Sequence, residues 1–434
     1  MTTHPDKIRQ SLRQGPAYVR QLTDIMDISQ PTISRALKKM GEDIVRIGSG
    51  PSIQYALRDA FRGFNSAPVY HVSEEGKVTS LGQIIPVYPD GFVMVQHDGI
   101  GIHSDGLPWW LLDMRPQGYL GRAYASVCSA ELGLPSNPEH WTDAEIIRAL
   151  LAHGHDTVGN LLIGEKARKQ FLDMPVPVPT DRASHWPALA LAASAGEVPG
   201  SSAGGEQPKF CTYTDRGHVL VKFTAPDDNP ISERWRDLLQ TEHFALKVLG
   251  VETSVFDFNG QRFLEIPRFD RVGTLGRTGI FSLRALEAEF IGQARASWPV
   301  LVNELVKQKH VHPDAAANTA RLWAFGMLIG NTDMHHGNLS FISSQGRPYR
   351  LAPAYDMLPM GFAPKSGGGI VNTLRPVTLS EEVSGDIWRE ALELAEHFFA
   401  LVQDCHTFSE RFSPCITALR NHLDDAGLRI SRLG

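Results

Sequence analysis

The chain has 434 residues, about three domains' worth at ~150 residues each, and is long enough to bury several hydrophobic cores. With 42% hydrophobic and 21% charged residues, it is neither a disulfide-stapled miniprotein nor a disordered chain. The net charge of −6 is uneven: residues 1–58 hold nine Lys/Arg against five Asp/Glu, and the remainder holds 33 against 43. Phosphate binding needs clustered positive charge, so any nucleic-acid contact is expected to be local to the N-terminal module. No apolar run approaches the ~18 residues of a membrane helix, and Met1–Gln14 is too charged for a signal-peptide core, so a cytoplasmic protein with no membrane partner is expected. Cys128, Cys211, Cys405 and Cys415 are scattered without a CxxC pair and read as buried free thiols.

The first 60 residues have the punctuation of a winged helix-turn-helix. Ile8 and Leu12 share one face of an opening helix that Gly15-Pro16 stops, and a second helix carries Val19, Leu22 and Ile25. After the turn Met26-Asp27-Ile28-Ser29, a third helix starts near Gln30-Pro31 with Ile33 and Leu37 facing inward. Thr32, Ser34, Arg35, Lys38 and Lys39 are left for solvent or a partner, which is the side-chain chemistry of a helix that reads the DNA major groove. A hairpin, Ile44–Ile47 and Ile53–Leu57 around Gly48-Ser49-Gly50-Pro51, matches the wing.

From about Val69 the pattern changes to short strands, Lys77–Val87 and Gly91–Val95, and then to helical stretches such as Asp143–Ala152. Trp109-Trp110-Leu111-Leu112 is apolar enough to be core. Pro175-Val176-Pro177-Val178-Pro179 resists helix and sheet alike and reads as a stiff linker, so the expected division is 1–60, 65–175 and 180–434. The fold class expected is α+β: the winged module, a small β-rich domain, and a two-lobed body that ends in helices at Glu381–Asp404 and Pro414–Ala426.

Chemistry concentrates in the third part. Ser201–Lys209 is a loop of small residues, among them Ser202, Gly204 and Gly205, whose backbone N–H groups can approach phosphate oxygens; alone it is a weak signal. The strand Val219–Phe223 puts Val219, Val221 and Phe223 on one face and Lys222 with Leu220 on the other. An unpaired ammonium in an apolar strand is costly. The helix Ser232–Leu249 offers an anion, because Glu242 falls in its inward stripe with Trp235, Leu238, Leu239, Leu246 and Leu249. Lys222 and Glu242 are therefore a candidate ion pair, similar to the strand lysine and helix glutamate that position nucleotide phosphates in kinases. A further helix, Asp314–Ile329, turns Ala315, Leu322, Phe325 and Ile329 inward and breaks into Gly330-Asn331-Thr332-Asp333-Met334-His335-His336-Gly337-Asn338. Asp356 follows eighteen residues after Asn338. An Asp, an Asn five residues on, then a separate Asp is the order of a phosphoryl-transfer site: the first accepts the proton of the attacking hydroxyl, and the other two hold Mg²⁺ through hard oxygens.

On these words, with Arg268-Phe269-Asp270-Arg271 and Tyr355-Asp356, residues 65–430 resemble the HipA family of toxin serine/threonine kinases. The resemblance implies a kinase that uses ATP and Mg²⁺ to phosphorylate a protein substrate and itself. It implies Asp333 as the catalytic Asp, Asn338 and Asp356 as Mg²⁺ ligands, and Lys222 on ATP phosphates. Phe269 and Asp270 would lie at the adenine and ribose edge, with Lys209 and His335 beside the nucleotide and Ser202 as the site of self-phosphorylation. The family also implies a helix-turn-helix antitoxin as partner, although this chain carries its own DNA-reading module. Two further departures stand out: Pro267 cannot donate a backbone N–H at the hinge, and Gly337 replaces a longer, often basic residue. Alternative readings are a metal-dependent nuclease or hydrolase built on His335 and His336, and a catalytically degenerate kinase fold that regulates transcription.

Overall fold

Apolar spacing and caps decide where each helix of the N-terminal module starts and stops. In the computed structural model, which describes residues 3–194, 207–365 and 367–433, the three helices are His4–Leu12, Val19–Met26 and Gln30–Met40. Pro31 sits in the first turn of the third, where a missing N–H costs nothing, and Asp27 at φ +52° reverses the chain just before it. Ile8, Leu12, Leu22, Ile33 and Leu37 close a small core between them. Ile25 turns outward and is 70% exposed. The strand Gln54–Leu57 pairs with Ile44–Ile47 on one side and Ala17–Tyr18 on the other, which completes the wing.

The next segment is a five-stranded antiparallel sheet in the order Gly101–Ser104, Gly91–Gln96, Val78–Val87, Ala67–Val72, Leu161–Ile163. The wing does not stand free of it. Val45, Ile47 and Ala56 from the wing bury themselves with Ile85, Val87 and Val93 from the sheet, and Gly48 N–H donates to Gly101 O at 2.8 Å. A Cβ at Gly101 would lie 2.2 Å from the carbonyl oxygen of Arg46, so only glycine allows this approach. Residues 1–115 and 130–175 accordingly form one unit, and residues 116–129 and 176–434 a second. Leu111 is fully buried in the first, while Trp109 and Trp110 are half-buried.

In the second unit the four-stranded antiparallel sheet runs Ser254–Phe258, Gln261–Pro267, Gly217–Phe223, Lys209–Thr214. Val219, Val221 and Phe223 point into an aromatic core with Trp186, Phe210 and Phe263. On the opposite face lies the helix Pro230–Val248, hereafter the glutamate helix, which starts two residues earlier than expected because Asn229 Oδ1 accepts the N–H groups of Ile231 and Ser232. Then come the helices Trp298–Lys307, Asp314–Leu328, Gly385–Asp404 and Ser413–Ile430, with a small sheet of Gly279–Ser282, Ser340–Ser343 and Arg350–Leu351. Leu322 is half-buried rather than core. Of the four thiols only Cys415 is buried; Cys211 lies on the edge strand Lys209–Thr214 and is exposed.

Candidate active site

Alternation along Gly217–Phe223 sends Lys222 to the side of the sheet that faces the glutamate helix, where its residue is 3% exposed. Its ammonium lies 2.5 Å from Glu242 Oε1 and also pairs with Asp356 Oδ1. Burial opposes the charge on Lys222, but Asp356 and Glu242 together outweigh it and leave the lysine firmly protonated. Asp356 is pushed up by burial and pulled down further by Lys222, Lys209 and His335, to about 2. Burial dominates at Glu242, which is raised in spite of Lys222, and its Oε2 has no hydrogen-bond partner among the described residues. One cation is thus shared by two acids, of which only Asp356 is drawn below the ordinary carboxylate range. Its side chain is 31% exposed, and its backbone takes the left-handed φ of +51° that aspartate tolerates better than most residues.

Asp333 projects from the loop after the helix Asp314–Leu328 and is exposed. Its backbone is held at two points: its N–H donates to Asn331 Oδ1 at 3.0 Å, and its carbonyl accepts Asn338 Nδ2 at 2.7 Å. With the amide nitrogen of Asn338 committed in this way, its oxygen is the atom left for a cation. Asn331, buried to 4%, also donates from Nδ2 to Asp356 O at 3.2 Å, so one side chain ties the two acidic loops together. Sequence reasoning missed Asn331. The available signal was a polar residue placed directly after an apolar helix end. Tyr355 OH donates to Gly337 O at 2.8 Å and shares a 2.6 Å bond with Ser340 Oγ.

The two histidines are held apart. His335 Nδ1 accepts Gly337 N–H at 3.0 Å, while His336 Nε2 lies 2.8 Å from Ala296 O. Among the described residues no three His, Cys, Asp or Glu side chains converge as a metal cluster would. Gly337 has a local reason too: a Cβ there would meet the His335 ring at 2.9 Å. Phe269 lies 5.9 Å from the Tyr355 ring. Asp270 is buried and received by Arg268, at 3.0 and 2.9 Å, and by Arg271 at 2.7 Å. Pro267 closes its strand, and the next N–H, from Arg268, goes to His218 O. Lys209 stands opposite Lys222 in the strand register. Ser202, Gly204 and Gly205 lie outside the described residues.

The donor set suits a hard divalent cation: an ionised carboxylate on Asp356 and an oriented amide oxygen on Asn338 are the oxygen ligands Mg²⁺ takes. The buried lysine paired with that carboxylate is a fixed positive charge. In the first unit the Gln30–Met40 helix buries Ile33, Ala36, Leu37 and Met40 and exposes Ser34, Arg35, Lys38 and Lys39, with Thr32 half-buried.

Three family models match parts of the chain. Residues 7–43 match the model for bacterial regulatory proteins of the arsR family, residues 64–172 the YjjJ-like toxin middle domain, and residues 201–425 the HipA-like C-terminal domain. Over 439 aligned residues the chain is 38% identical to Toxin YjjJ of Escherichia coli (strain K12), covering 98% of each. The chain belongs to the HipA-like toxin family. A solved HipA-like relative is the Shewanella oneidensis MR-1 toxin-antitoxin system HipA, in complex with HipB and operator DNA. It shares 15% identity at a TM-score of 0.52, over 84% of this chain and 97% of that one, a likeness of fold. No described helix of this HipA-like chain is long and apolar enough to cross a membrane.

Proposed function

We propose that the second unit is an ATP- and Mg²⁺-dependent serine/threonine protein kinase of the HipA type, acting on a cellular protein and on itself, and that the N-terminal module binds DNA. The observation that carries the kinase reading is Lys222 bridging Glu242 and Asp356, with Asp356 tied through Asn331 to the loop of Asp333. When bound, Mg·ATP supplies the phosphoryl group and a divalent charge that offsets the negative charge spread over its oxygens. Asn338 Oδ1 and the Asp356 carboxylate would hold the metal, and Lys222 would turn from Asp356 to the phosphates while Glu242 keeps it in place. Asp333, exposed and backbone-anchored, would accept the proton of the incoming hydroxyl. Phe269 would flank the base, with Asp270 acting at that edge through Arg268 and Arg271, and Lys209 and His335 would add positive charge beside the phosphates.

The DNA reading rests on the charge asymmetry and on the exposed Ser34, Arg35, Lys38 and Lys39 of the third helix. Since that module is fused, DNA contact here is made by the chain itself, and a separate antitoxin is tested by co-purification. Self-phosphorylation at Ser202 would add about −1.5 to −2 charges beside the nucleotide phosphates and so lower ATP affinity. The deciding experiment incubates the wild-type chain and Asp333→Asn with γ-labelled ATP and cell extract. A labelled protein band with the wild type and none with Asp333→Asn is expected; equal labelling would overturn the assignment. Mass spectrometry of the same two proteins reports on Ser202, where a phosphate is expected only in the active form.

A further inference from the structure

The glutamate helix carries a second buried charge that the reaction described above does not use. Arg234 lies eight residues before Glu242, is 3% exposed, and makes no ion pair with a carboxylate among the described residues. Its Nη1 donates to Phe362 O at 2.9 Å and to Val371 O at 3.0 Å, and its Nη2 donates to Asn372 Oδ1 at 2.7 Å. The guanidinium also lies over the Phe412 ring at 5.4 Å. All three hydrogen-bond acceptors belong to the stretch that follows Asp356. The described residues of that stretch between 364 and 379 form neither helix nor strand, so their backbone groups must find partners elsewhere. A guanidinium holds its donors in a fixed planar fork wide enough to reach acceptors spread along the segment, whereas the three donors of an ammonium all radiate from one nitrogen.

We propose that Arg234 is a positioning residue: it docks the segment after Asp356 onto the helix that carries Glu242, and it does so through neutral acceptors, without a phosphate on the segment. The stretch is secured at its start by Asn331 on Asp356 O and by Gly361 N–H on Gly330 O, 2.9 Å apart. Arg234 supplies the far anchor. Three residues further along the helix, Asp237 accepts Ser409 N–H at 3.0 Å and Ser409 Oγ at 2.6 Å, and so fixes the helix to the turn before Ser413–Ile430. The helix that sets Glu242 against Lys222 and the segment leaving Asp356 are therefore one assembly. This rests on the kinase reading for its consequence in activity, and on geometry alone for the docking.

The test uses the full chain as wild type, Arg234→Ala and Arg234→Lys. In hydrogen exchange without nucleotide, both variants should lose protection in residues 363–379 by about tenfold while residues 330–338 keep theirs. In labelling with Mg·γ-ATP, their transfer rate at saturating nucleotide should fall about tenfold with nucleotide affinity within about twofold of wild type. A cavity of about 300 Å³ lined by Arg234, Asn372, Ser409 and Arg411 gives a small cation access. Guanidinium chloride, far below concentrations that unfold proteins, should then restore Arg234→Ala where sodium chloride does not. A triple variant Ser366→Ala, Thr373→Ala, Thr378→Ala should transfer at the wild-type rate. Unchanged exchange in 363–379, loss of protection throughout the unit, failure of guanidinium rescue, or inactivity of the triple variant overturns the proposal. A wild type that transfers no phosphate defeats the kinase reading instead, and the exchange result still decides the docking.

Discussion

Lys222 is the hinge of the site's electrostatics: burial raises both of its acids, and the neighbouring cations outweigh burial at Asp356 but not at Glu242. Asp356 has its carboxyl lowered from 3.8 to about 2, so its ionised form contributes stability above about pH 4 that is lost as the pH falls towards 2, on the order of 2 kcal/mol. Asp356→Asn should flatten that part of a stability-versus-pH curve measured by denaturant titration. It should also abolish phosphate transfer and weaken Mg²⁺-dependent nucleotide binding, whereas Asp333→Asn should abolish transfer and keep the binding. Glu242 behaves differently: burial raises its carboxyl, and its Oε2 has no hydrogen-bond partner among the described residues. Glu242→Gln is nearly isosteric and leaves Lys222 paired with Asp356, so the midpoint of thermal unfolding should stay within a few degrees of wild type. Transfer should nevertheless fall by about tenfold or more, because nothing then holds Lys222 when Asp356 turns to the metal. A large loss of thermal stability with normal transfer would assign Glu242 a structural role.

At the scale of elements, two short stretches carry the chemistry through their neighbours. The loop from Gly330 to Asn338 keeps its shape by side-chain-to-backbone bonds, with Asn331 at the centre. Asn331→Ala removes bonds to two partly buried backbone groups at once, which should cost about 1–3 kcal/mol in denaturant unfolding and lower transfer more than nucleotide affinity. The Gln30–Met40 helix is the opposite case, a packed face with a charged one outside. Replacing Arg35, Lys38 and Lys39 together by Ala should leave the fold intact, because all three are exposed. It should weaken duplex binding and reduce the salt dependence by roughly one unit of slope for each lost phosphate contact. Equal affinity and slope in the variant would show that another surface meets the DNA.

Within the whole molecule, the first unit is built so that the wing and the five-stranded sheet share a core. Gly101→Val places a branched side chain where the Arg46 carbonyl now sits 2.2 Å from an added Cβ, and it should separate the two. The expected result is a lower unfolding midpoint for this unit, by about 2–3 kcal/mol of overpacking, together with weaker DNA binding. In the second unit, Mg·ATP should raise the unfolding midpoint by mass action, whereas Mn²⁺ or Zn²⁺ without nucleotide should not. Stabilisation by the bare metals alone would favour a hydrolase.

The sequence by itself determined much of this protein, because period and punctuation are local. Alternation along Val219–Phe223 put Lys222 opposite the aromatic core, and a 3.6-residue stripe put Glu242 inward. Turn chemistry and Pro31 marked the third helix of the N-terminal module, and the order Asp333, Asn338, Asp356 pointed to phosphoryl transfer. Tertiary structure alone decided what each buried charge touches. Lys222 meets Asp356 across 134 residues of chain, and Arg234 meets Asn372 across 138, separations that no periodicity reports. Arg234 and Asp237 are buried because the segment after Asp356 and the turn at Ser409 cover them. Asp270 is received by the arginines on either side of Phe269 and Asp270, and the wing is covered by a sheet. Burial of a polar group depends on what packs against it, and the packing partner is chosen by the fold rather than by the residues beside it.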